Sequence, residues 1–276
     1  MHSEADNKRY LFGQELARIA GERAKHFFDN RESLIIEKKS HDFDLLSAAD
    51  KNVELLIRSK IESYFPKDAI IGEEKGVSGA RDSEYVWIVD PIDGTYPFLY
   101  GMPLWCVSIA LFKNGEPLMG FVMDPNQGEL FHAHKGFGAF CNDKPIKVME
   151  VSHLNQGSIA VGCDNGIRAQ YVKRFLIKLL DQDLHFCRPI SCALTMAWVA
   201  AGRLMAAWYP YVRAWDWAGG LVIVEEAGGQ TSHPLNNDGI RYGNAILASA
   251  KGTYNAIYHM IEMDNLLKEK RPPEEA

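Results

Sequence analysis

The sequence has no C-x-x-C pair, no run of lysine and arginine, and no apolar stretch near the roughly 18 residues that cross a bilayer. Its cysteines are odd in number and irregular in spacing, which argues against a zinc site or a disulfide framework and favours reduced thiols. They are Cys106, Cys141, Cys163, Cys187 and Cys192. The charged start MHSEADNKRYLF lacks the apolar core of a signal peptide. These absences predict a cytoplasmic protein with no membrane partner.

Positive charge is scarce relative to negative charge. The chain has 30 Lys and Arg against 36 Asp and Glu, a net charge of −6. Without a basic stripe there is no surface for the phosphate backbone of a nucleic acid, so no nucleic-acid partner is predicted. An acidic protein that handles anionic substrates needs a local source of positive charge, and a bound metal ion is the simplest one.

Apolar residues are abundant, at 47% of the 276 positions, which is enough to bury the core of one large domain or of two joined halves. They recur at helical spacing in 8–30 and in 47–64. Short β-rich runs follow, separated by turns, and they indicate a meander of antiparallel strands. These runs are 69–74, 85–90, 104–113, 118–124 and 128–134.

From about residue 150, helices and strands alternate. The pattern predicts helices at 168–180, 191–201, 216–227 and 251–266, and strands at 204–208 and 244–249. Such alternation indicates a layered α/β architecture. We expect one part at 1–150, with the N-terminal helices and the antiparallel sheet, and a second α/β part at 151–276. The charged, proline-containing end KEKRPPEEA predicts a frayed tail.

The segment WIVDPIDGT at 87–95 is an apolar strand that ends in two aspartates, Asp90 and Asp93. The intervening proline fixes the backbone and Gly94 permits a tight turn, so both carboxylates are predicted to face the same point. The N–H groups of Gly94 and Thr95 are then expected at the N-terminus of the helix that follows. Unpaired N–H donors at a helix N-terminus favour the binding of an anion. Carboxylates beside such a cradle predict a metal-bridged phosphate site. The pattern alone also fits an Asx turn that caps a helix.

Two more acidic residues occupy comparable places. Glu73 follows the strand that includes 69–71, and Asp216 stands at the start of an apolar helix. Oxygen ligands without histidine or cysteine suit Mg²⁺ or Mn²⁺ better than zinc. Taken singly, Glu73 also fits a solvated loop and Asp216 a helix N-cap. Together with Asp90 and Asp93 they predict a metal cluster.

The motifs GEE, WIVDPIDGT and WDWAGGLVIVEEAGG follow one another in an order and spacing that cover nearly the whole chain. They resemble the inositol monophosphatase family of Mg²⁺-dependent, lithium-sensitive-type phosphomonoesterases. The resemblance implies an α/β layered fold, an α-β-α-β-α sandwich. It further implies a homodimer, a small phosphate ester as substrate, and inhibition by Li⁺ around Asp90, Asp93 and Asp216.

Matched position by position, five groups are similar to the metal ligands of that family: Glu73, Asp90, the carbonyl of Ile92, Asp93 and Asp216. Thr95 and Asp50 look like the groups that orient the attacking water, and with Glu73 they form the predicted catalytic set. Two or three Mg²⁺ ions, with Mn²⁺ as a possible substitute, suit direct attack by water without a covalent phospho-enzyme. Asp50 also fits a helix cap, and Thr95 a first-turn helix residue.

Substrate choice depends on residues around the leaving group. Inositol-specific members have a glutamate seven residues before the last metal aspartate, where this chain has Tyr209, which supplies no carboxylate for paired hydroxyls. Tyr209 and Arg213 fit a leaving-group surface and also fit packing at a strand edge. The Ser191-Cys192-Ala193 segment fits leaving-group donors and also ordinary N-capping. The predicted substrate contacts are Asp93, Gly94, Thr95, Ser191, Cys192, Tyr209, Arg213 and Asp216.

The predicted reaction is therefore Mg²⁺-dependent hydrolysis of a small phosphate monoester, similar to inositol monophosphate, to an alcohol and inorganic phosphate. Related phosphatases for histidinol phosphate, a nucleotide 3′-phosphate or fructose 1,6-bisphosphate are the alternatives on the same scaffold. A regulatory protein with a vestigial metal site is the alternative outside enzymes.

Overall fold

The structure is a computed structural model that describes residues 3–30, 36–38, 45–80, 82–162, 166, 168–232, 235 and 239–267. At 36–38 and 45–47 it describes the backbone only; these are strands β1 (Ile36–Lys38) and β2 (Leu45–Ser47), which pair antiparallel. The predicted tail at 268–276 and Cys163 lie outside the described residues.

Two helices precede the first large sheet, as predicted. Helix α1 spans Glu4–Asp29 and helix α2 spans Ala48–Tyr64. Helix α1 begins before the predicted residue 8 because Ser3 and Asp6 form a reciprocal capping box, in which each side chain accepts the other's backbone N–H.

The larger sheet contains eight strands. They are β3 (Ala69–Gly72), β4 (Gly76–Ser78), β5 (Tyr85–Asp93), β6 (Cys106–Lys113), β7 (Glu116–Asp124), β8 (Glu129–His134), β9 (Ala139–Cys141) and β10 (Lys144–Ile146). From β5 to β10 each strand pairs antiparallel with the next, which confirms the predicted meander there. The prediction is wrong for β3, which pairs parallel with β5. The chain reverses direction through β4, the outermost strand of the sheet, before β5 begins. The C-terminal ends of β3 and β5 therefore lie side by side.

The smaller sheet contains five strands. They are β11 (Ile159–Val161), β12 (Phe186–Cys187), β13 (Ala206–Val212), β14 (Gln230–Thr231) and β15 (Asn244–Ser249), in the spatial order β12-β11-β13-β15-β14. Strand β13 extends beyond the predicted 204–208. The remaining α-helices are α3 (Thr95–Leu99), α4 (Ala169–Asp181), α5 (Cys192–Ala200), α6 (Ala214–Glu226), α7 (Gly239–Tyr242), α8 (Tyr254–Ile261) and α9 (Met263–Leu266). The predicted helix at 251–266 is divided at Glu262, which has a left-handed φ of 63°.

The buried side chains form three apolar clusters that define five layers. The first lies between α1, α2 and one face of the larger sheet. The second surrounds α5 and α6, with residues from both sheets, and the third lies between the smaller sheet, α4 and α8. The order is therefore α-β-α-β-α, as predicted, and helices α5 and α6 form the middle layer.

The chain passes from the larger sheet to the smaller one between Ile146 and Ile159. The division at residue 150 stays a prediction, because α6 packs on strands of both sheets. Within the described ranges, no helix combines the length and the apolar character that crossing a bilayer requires.

Candidate metal centre

The aspartates of the WIVDPIDGT segment lie at the end of β5. Asp90 and Asp93 are both buried, and the pairing of β5 with β6 shifts register between them. Asp90 Oδ1 accepts the N–H of Ile92 at 2.9 Å, so an Asx-type turn is present together with the acidic cluster. Gly94 has a φ of 101°, a left-handed conformation that favours glycine, and α3 begins directly after it. The predicted strand, turn and helix start are all confirmed.

Asp216 reaches the same point from the middle layer. It lies in the first turn of α6, where its Oδ2 accepts the N–H of Arg213 at 2.7 Å. The N-cap of α6 is Arg213, so Asp216 supports the helix start from the third helical position and is not the N-cap considered from the sequence. Carboxylate oxygens of Asp90, Asp93 and Asp216 also lie within 4.8 Å of one another. The same carboxylate of Asp216 therefore accepts a hydrogen bond at the helix start and belongs to the acidic cluster.

Asp93 is held by the start of α5. Its Oδ2 accepts the hydroxyl of Ser191 at 2.7 Å and the N–H of Ala193 at 2.6 Å, and its Oδ1 accepts the N–H of Cys192 at 3.3 Å. We expected these donors to face a leaving group. The structure directs them to Asp93 instead, because α5 packs in the middle layer directly against the end of β5.

The three aspartates repel one another. Burial raises the pKa of Asp90 well above its usual range, and the charges of Glu73, Asp93, Asp216 and Asp50 raise it further. Burial of its carboxylate, followed by the charges of Asp93 and Glu73, raises the pKa of Asp216, although the residue as a whole is partly exposed. Burial raises the pKa of Asp93 to about 6, against the hydrogen bonds from Ser191, Ala193 and Cys192. Hard oxygen donors that repel one another fit a divalent cation such as Mg²⁺.

Glu73 and Asp50 complete the acidic surroundings. Gly72 pairs with Val89 in the parallel register of β3 and β5, so Glu73 leaves its strand beside Asp90. Asp50 is buried in the first turn of α2. The charges of Glu73 and Asp50 both contribute to the raised pKa of Asp90.

Thr95 lies in the first turn of α3, and its hydroxyl donates to the carbonyl of Ile92 at 3.3 Å. The carbonyl that the family resemblance assigns to a metal therefore has a hydroxyl beside it. Gly94 and Thr95 are partly exposed. This turn is accessible next to the cluster, as the predicted phosphate cradle requires.

Tyr209 does not face open solvent. It is 4% exposed, its hydroxyl lies 2.9 Å from the carbonyl oxygen of Ser191 and 3.2 Å from that of Pro189, and it shares a 2.8 Å hydrogen bond with Thr195. Tyr209 therefore lies beneath the turn that holds Asp93, and its hydroxyl is satisfied by protein oxygens. Arg213 is exposed at the start of α6, with its guanidinium 5.5 Å from the ring of Tyr211.

Sequence reasoning missed a buried ion pair next to the centre, Glu54 and Arg58 on α2. Their positions follow Asp50 at intervals of four, which places all three on one side of the helix. That spacing was the available signal, but on its own it does not distinguish a solvated face from a buried one.

The comparisons with known proteins agree with this geometry. The sequence model of the inositol monophosphatase family matches residues 6–265. Nus factor SuhB of Xylella fastidiosa is 36% identical over 77% of this chain and 77% of its own length. Inositol-1-monophosphatase of Mesorhizobium japonicum is 35% identical over 75% of this chain and 81% of its own. Fructose-1,6-bisphosphatase/inositol-1-monophosphatase of Aquifex aeolicus is 34% identical, with 80% and 84% covered.

Among solved structures, the extragenic suppressor protein SuhB of Bartonella henselae superposes with a TM-score of 0.84 at 30% identity, covering 90% of this chain and 96% of that one. Fold and site thus define a layered α/β protein with a cluster of three acidic side chains from the end of β5 and the first turn of α6. With the family model matched over almost its full length, the chain belongs to the inositol monophosphatase family, a family of phosphatases that act on small phosphate esters.

Proposed function

We propose that this protein is a Mg²⁺-dependent phosphomonoesterase that hydrolyses a small phosphate monoester, similar to inositol monophosphate, by direct attack of water. The observation that carries the proposal is the convergence of Asp90, Asp93 and Asp216, whose carboxylate oxygens lie within 4.8 Å of one another. These aspartates come from β5 and α6, far apart in sequence, and a bound cation would relieve their mutual repulsion without protonation.

The groups that would hold two or three Mg²⁺ ions, or Mn²⁺ in their place, are Glu73, Asp90, the carbonyl of Ile92, Asp93 and Asp216. When bound, the ions supply positive charge to the phosphate and the leaving oxygen, and they activate water. Asp93 is fixed by the three donors at the start of α5, and Asp216 by the N–H of Arg213. The carboxylates of Asp93 and Asp216 are thus oriented by hydrogen bonds within the protein.

Other residues of the chain are proposed to orient water and to bind the phosphate. Thr95 and Asp50 lie in the first turns of α3 and α2, and their hydroxyl and carboxylate are the groups proposed to orient water. The N–H groups of Gly94 and Thr95, at the turn into α3, bind a phosphate oxygen. Glu73 accepts hydrogen bonds from water on the β3 side.

The residues on the proposed leaving-group side do not favour a polyol over other leaving groups. Tyr209 replaces the glutamate of inositol-specific members and is engaged within the protein. Arg213, exposed beside the ring of Tyr211, offers a cation to an acidic or planar leaving group. Histidinol phosphate, a nucleotide 3′-phosphate and fructose 1,6-bisphosphate therefore remain candidates with inositol monophosphate, and the name of the Aquifex aeolicus relative includes two of these activities.

A panel of these esters, assayed with Mg²⁺ and ranked by kcat/KM, tests the proposal and selects the substrate. We expect turnover to stop in EDTA and to return with Mg²⁺ or, less fully, with Mn²⁺. Full activity without metal contradicts the proposal. A LiCl titration of the same activity tests the Li⁺ site implied around Asp90, Asp93 and Asp216.

The second candidate is a regulatory protein, because the Xylella fastidiosa relative is named as a Nus factor. The complete set of acidic residues speaks for catalysis. Absence of turnover with every ester at saturating Mg²⁺ favours the regulatory role.

We further propose a cytoplasmic homodimer without membrane or nucleic-acid partners. Light scattering on the purified protein measures the oligomeric state directly.

A further inference from the structure

Glu54 and Arg58 form a buried ion pair on α2. Their side chains are 0% and 7% exposed, and Arg58 Nε donates to Glu54 Oε1 at 2.7 Å. A buried pair of this kind is poor evidence for a stabilising role, since its desolvation cost often exceeds its attraction. The remaining hydrogen bonds of the two side chains show what else the pair does.

Both side chains bind the segment that directly follows Glu73. Glu54 Oε2 accepts the N–H of Glu74 at 2.7 Å, and Oε1 accepts the N–H of Lys75 at 3.1 Å. Arg58 donates to the carbonyl of Gly76 at 2.5 Å and to the hydroxyl of Ser78 at 2.8 Å. The ion pair therefore holds the whole turn from β3 into β4.

The residue before Glu73 is pressed against the same pair. A Cβ on Gly72 would lie 2.5 Å from Glu54 Oε1 and 2.8 Å from Arg58 Nη2, so a larger residue does not fit without moving the pair or the strand. On its other side Glu73 donates its N–H to the carbonyl of Val89 at 3.3 Å. The backbone of Glu73 is thus fixed between β5 and the pair.

We propose that Glu54 and Arg58 are positioning residues that set the place of Glu73 in the metal centre. Helix α2 carries Asp50 in its first turn and the pair in the following turns, so one rigid element orients two of the acidic groups around Asp90. The inference rests on the proposed function, which makes Glu73 a metal ligand.

Glu54→Gln tests the inference, because the side chain keeps its size but loses charge and one acceptor, which leaves Arg58 unneutralised. Mg²⁺ binding to the metal-free, full-length protein is measured by calorimetry, and Mn²⁺ binding by electron paramagnetic resonance. We expect both affinities to fall by roughly 10–100-fold, the usual effect of removing a group that orients a metal ligand.

Asp68→Asn is the matched control. Asp68 is a buried acid just before the opposite end of β3, where it accepts Arg9 Nη2 at 2.7 Å and the indole N–H of Trp87 at 2.9 Å. Its substitution is expected to lower the melting temperature without changing Mg²⁺ affinity. Equal loss of affinity in both variants means a general stability effect and overturns the inference.

Ser78→Ala provides a milder variant should Glu54→Gln not fold, because it removes one hydrogen bond of Arg58 and leaves the ion pair intact. We expect a loss of Mg²⁺ affinity of about two- to fivefold, the effect of one ordinary hydrogen bond. Unchanged affinity in a folded Glu54→Gln protein, or in Ser78→Ala where only that variant folds, overturns the inference. Failure of the wild-type protein to bind Mg²⁺ at all overturns the proposed function instead.

Discussion

The hydroxyl of Ser191 lies 2.7 Å from Asp93 Oδ2 and donates a hydrogen bond to it, although the two residues are 98 positions apart in sequence. The same oxygen accepts the N–H of Leu194 at 3.3 Å and so caps α5. One hydroxyl thus connects the end of strand β5 with the start of a middle-layer helix. The proposed metal ligand and the helix cap depend on the same atom.

Ser191→Ala is therefore expected to have two effects. Loss of the cap lowers the free energy of unfolding by about 1 kcal/mol. Loss of a hydrogen bond that lowers the pKa of Asp93 lets that pKa rise, so Mg²⁺ competes with a proton more often and binds more weakly. Thermal melting and Mg²⁺ calorimetry measure the two effects separately.

Ser3→Ala is the control for the cap alone, because Ser3 caps α1 through the N–H of Asp6 at 3.1 Å, outside the acidic cluster. We expect a comparable loss of stability and the same Mg²⁺ affinity as the wild-type protein. If Ser191→Ala also binds Mg²⁺ like the wild type, then Ser191 is only a helix cap.

The local sequence pattern was sufficient to predict the geometry of the acidic strand end. It was insufficient to predict which residues from other elements lie beside that strand end. Asp90, Asp93 and Gly94 lie within one strand and turn, whose geometry follows from the order of their residue types. The position of Glu73 depends on parallel pairing of β3 with β5, and alternating apolar residues do not distinguish parallel from antiparallel partners. The donors of Ser191 to Ala193 could be recognised as a helix start, but their acceptor is set by the packing of α5 on β5. That long-range contact has no local signature.

Asp90→Asn is expected to stabilise the metal-free protein while abolishing catalysis. The amide removes one charge from a buried cluster in which burial and four acidic neighbours raise the pKa of Asp90. The melting temperature in EDTA should rise, and kcat should fall by roughly 100-fold or more, the scale of losing a group that stabilises transition-state charge. Asp93→Asn is expected to lower kcat in the same way with the fold intact.

Asp124→Asn serves as the control for both substitutions. Asp124 is also buried, and its Oδ1 accepts the N–H groups of Asn126 at 2.9 Å and Gln127 at 3.2 Å. We expect its kcat and its Mg²⁺ dependence to match the wild-type enzyme. A near wild-type kcat for Asp93→Asn means that Asp93 is a turn residue only.

The pH dependence of stability is expected to reverse between the metal-free and metal-loaded forms. In the metal-free protein the pKa of Asp93 is raised to about 6 and that of Asp90 is raised well above its usual range, so the folded state binds more protons than the unfolded state. The contribution of these groups to stability is present at low pH and is lost as pH rises through the raised pKa values. Mg²⁺ replaces the protons.

The shift in melting temperature caused by Mg²⁺ should therefore grow from pH 5 to pH 8. Melting curves with EDTA and with saturating Mg²⁺ across this range measure it, and Asp90→Asn should remove much of the dependence. A shift that stays constant with pH means that the cluster does not exchange protons for the cation.

Tyr209 is the point at which the structure changes a prediction most. From the sequence it fits a leaving-group contact, and exchange for glutamate is then expected to favour a polyol. In the structure its hydroxyl is buried against Ser191, Pro189 and Thr195, under the turn that holds Asp93. A substitution of Tyr209 is therefore expected to affect the acidic cluster by moving Ser191, which donates to Asp93.

Tyr209→Phe and Tyr209→Glu separate these two possibilities. The phenylalanine variant keeps the ring but loses the buried hydroxyl and its hydrogen bonds with Thr195 and the carbonyl of Ser191, so it should lose about 1–3 kcal/mol of unfolding free energy with an unchanged ranking of substrates. The glutamate variant places a carboxylate where burial, and to a smaller extent the charge of Asp93, disfavours ionisation, and should lose roughly 3–5 kcal/mol or fail to fold at neutral pH. Denaturant unfolding beside the substrate panel measures both. A stable Tyr209→Glu protein with a ranking shifted toward inositol monophosphate would show that this side chain reaches the leaving group after all.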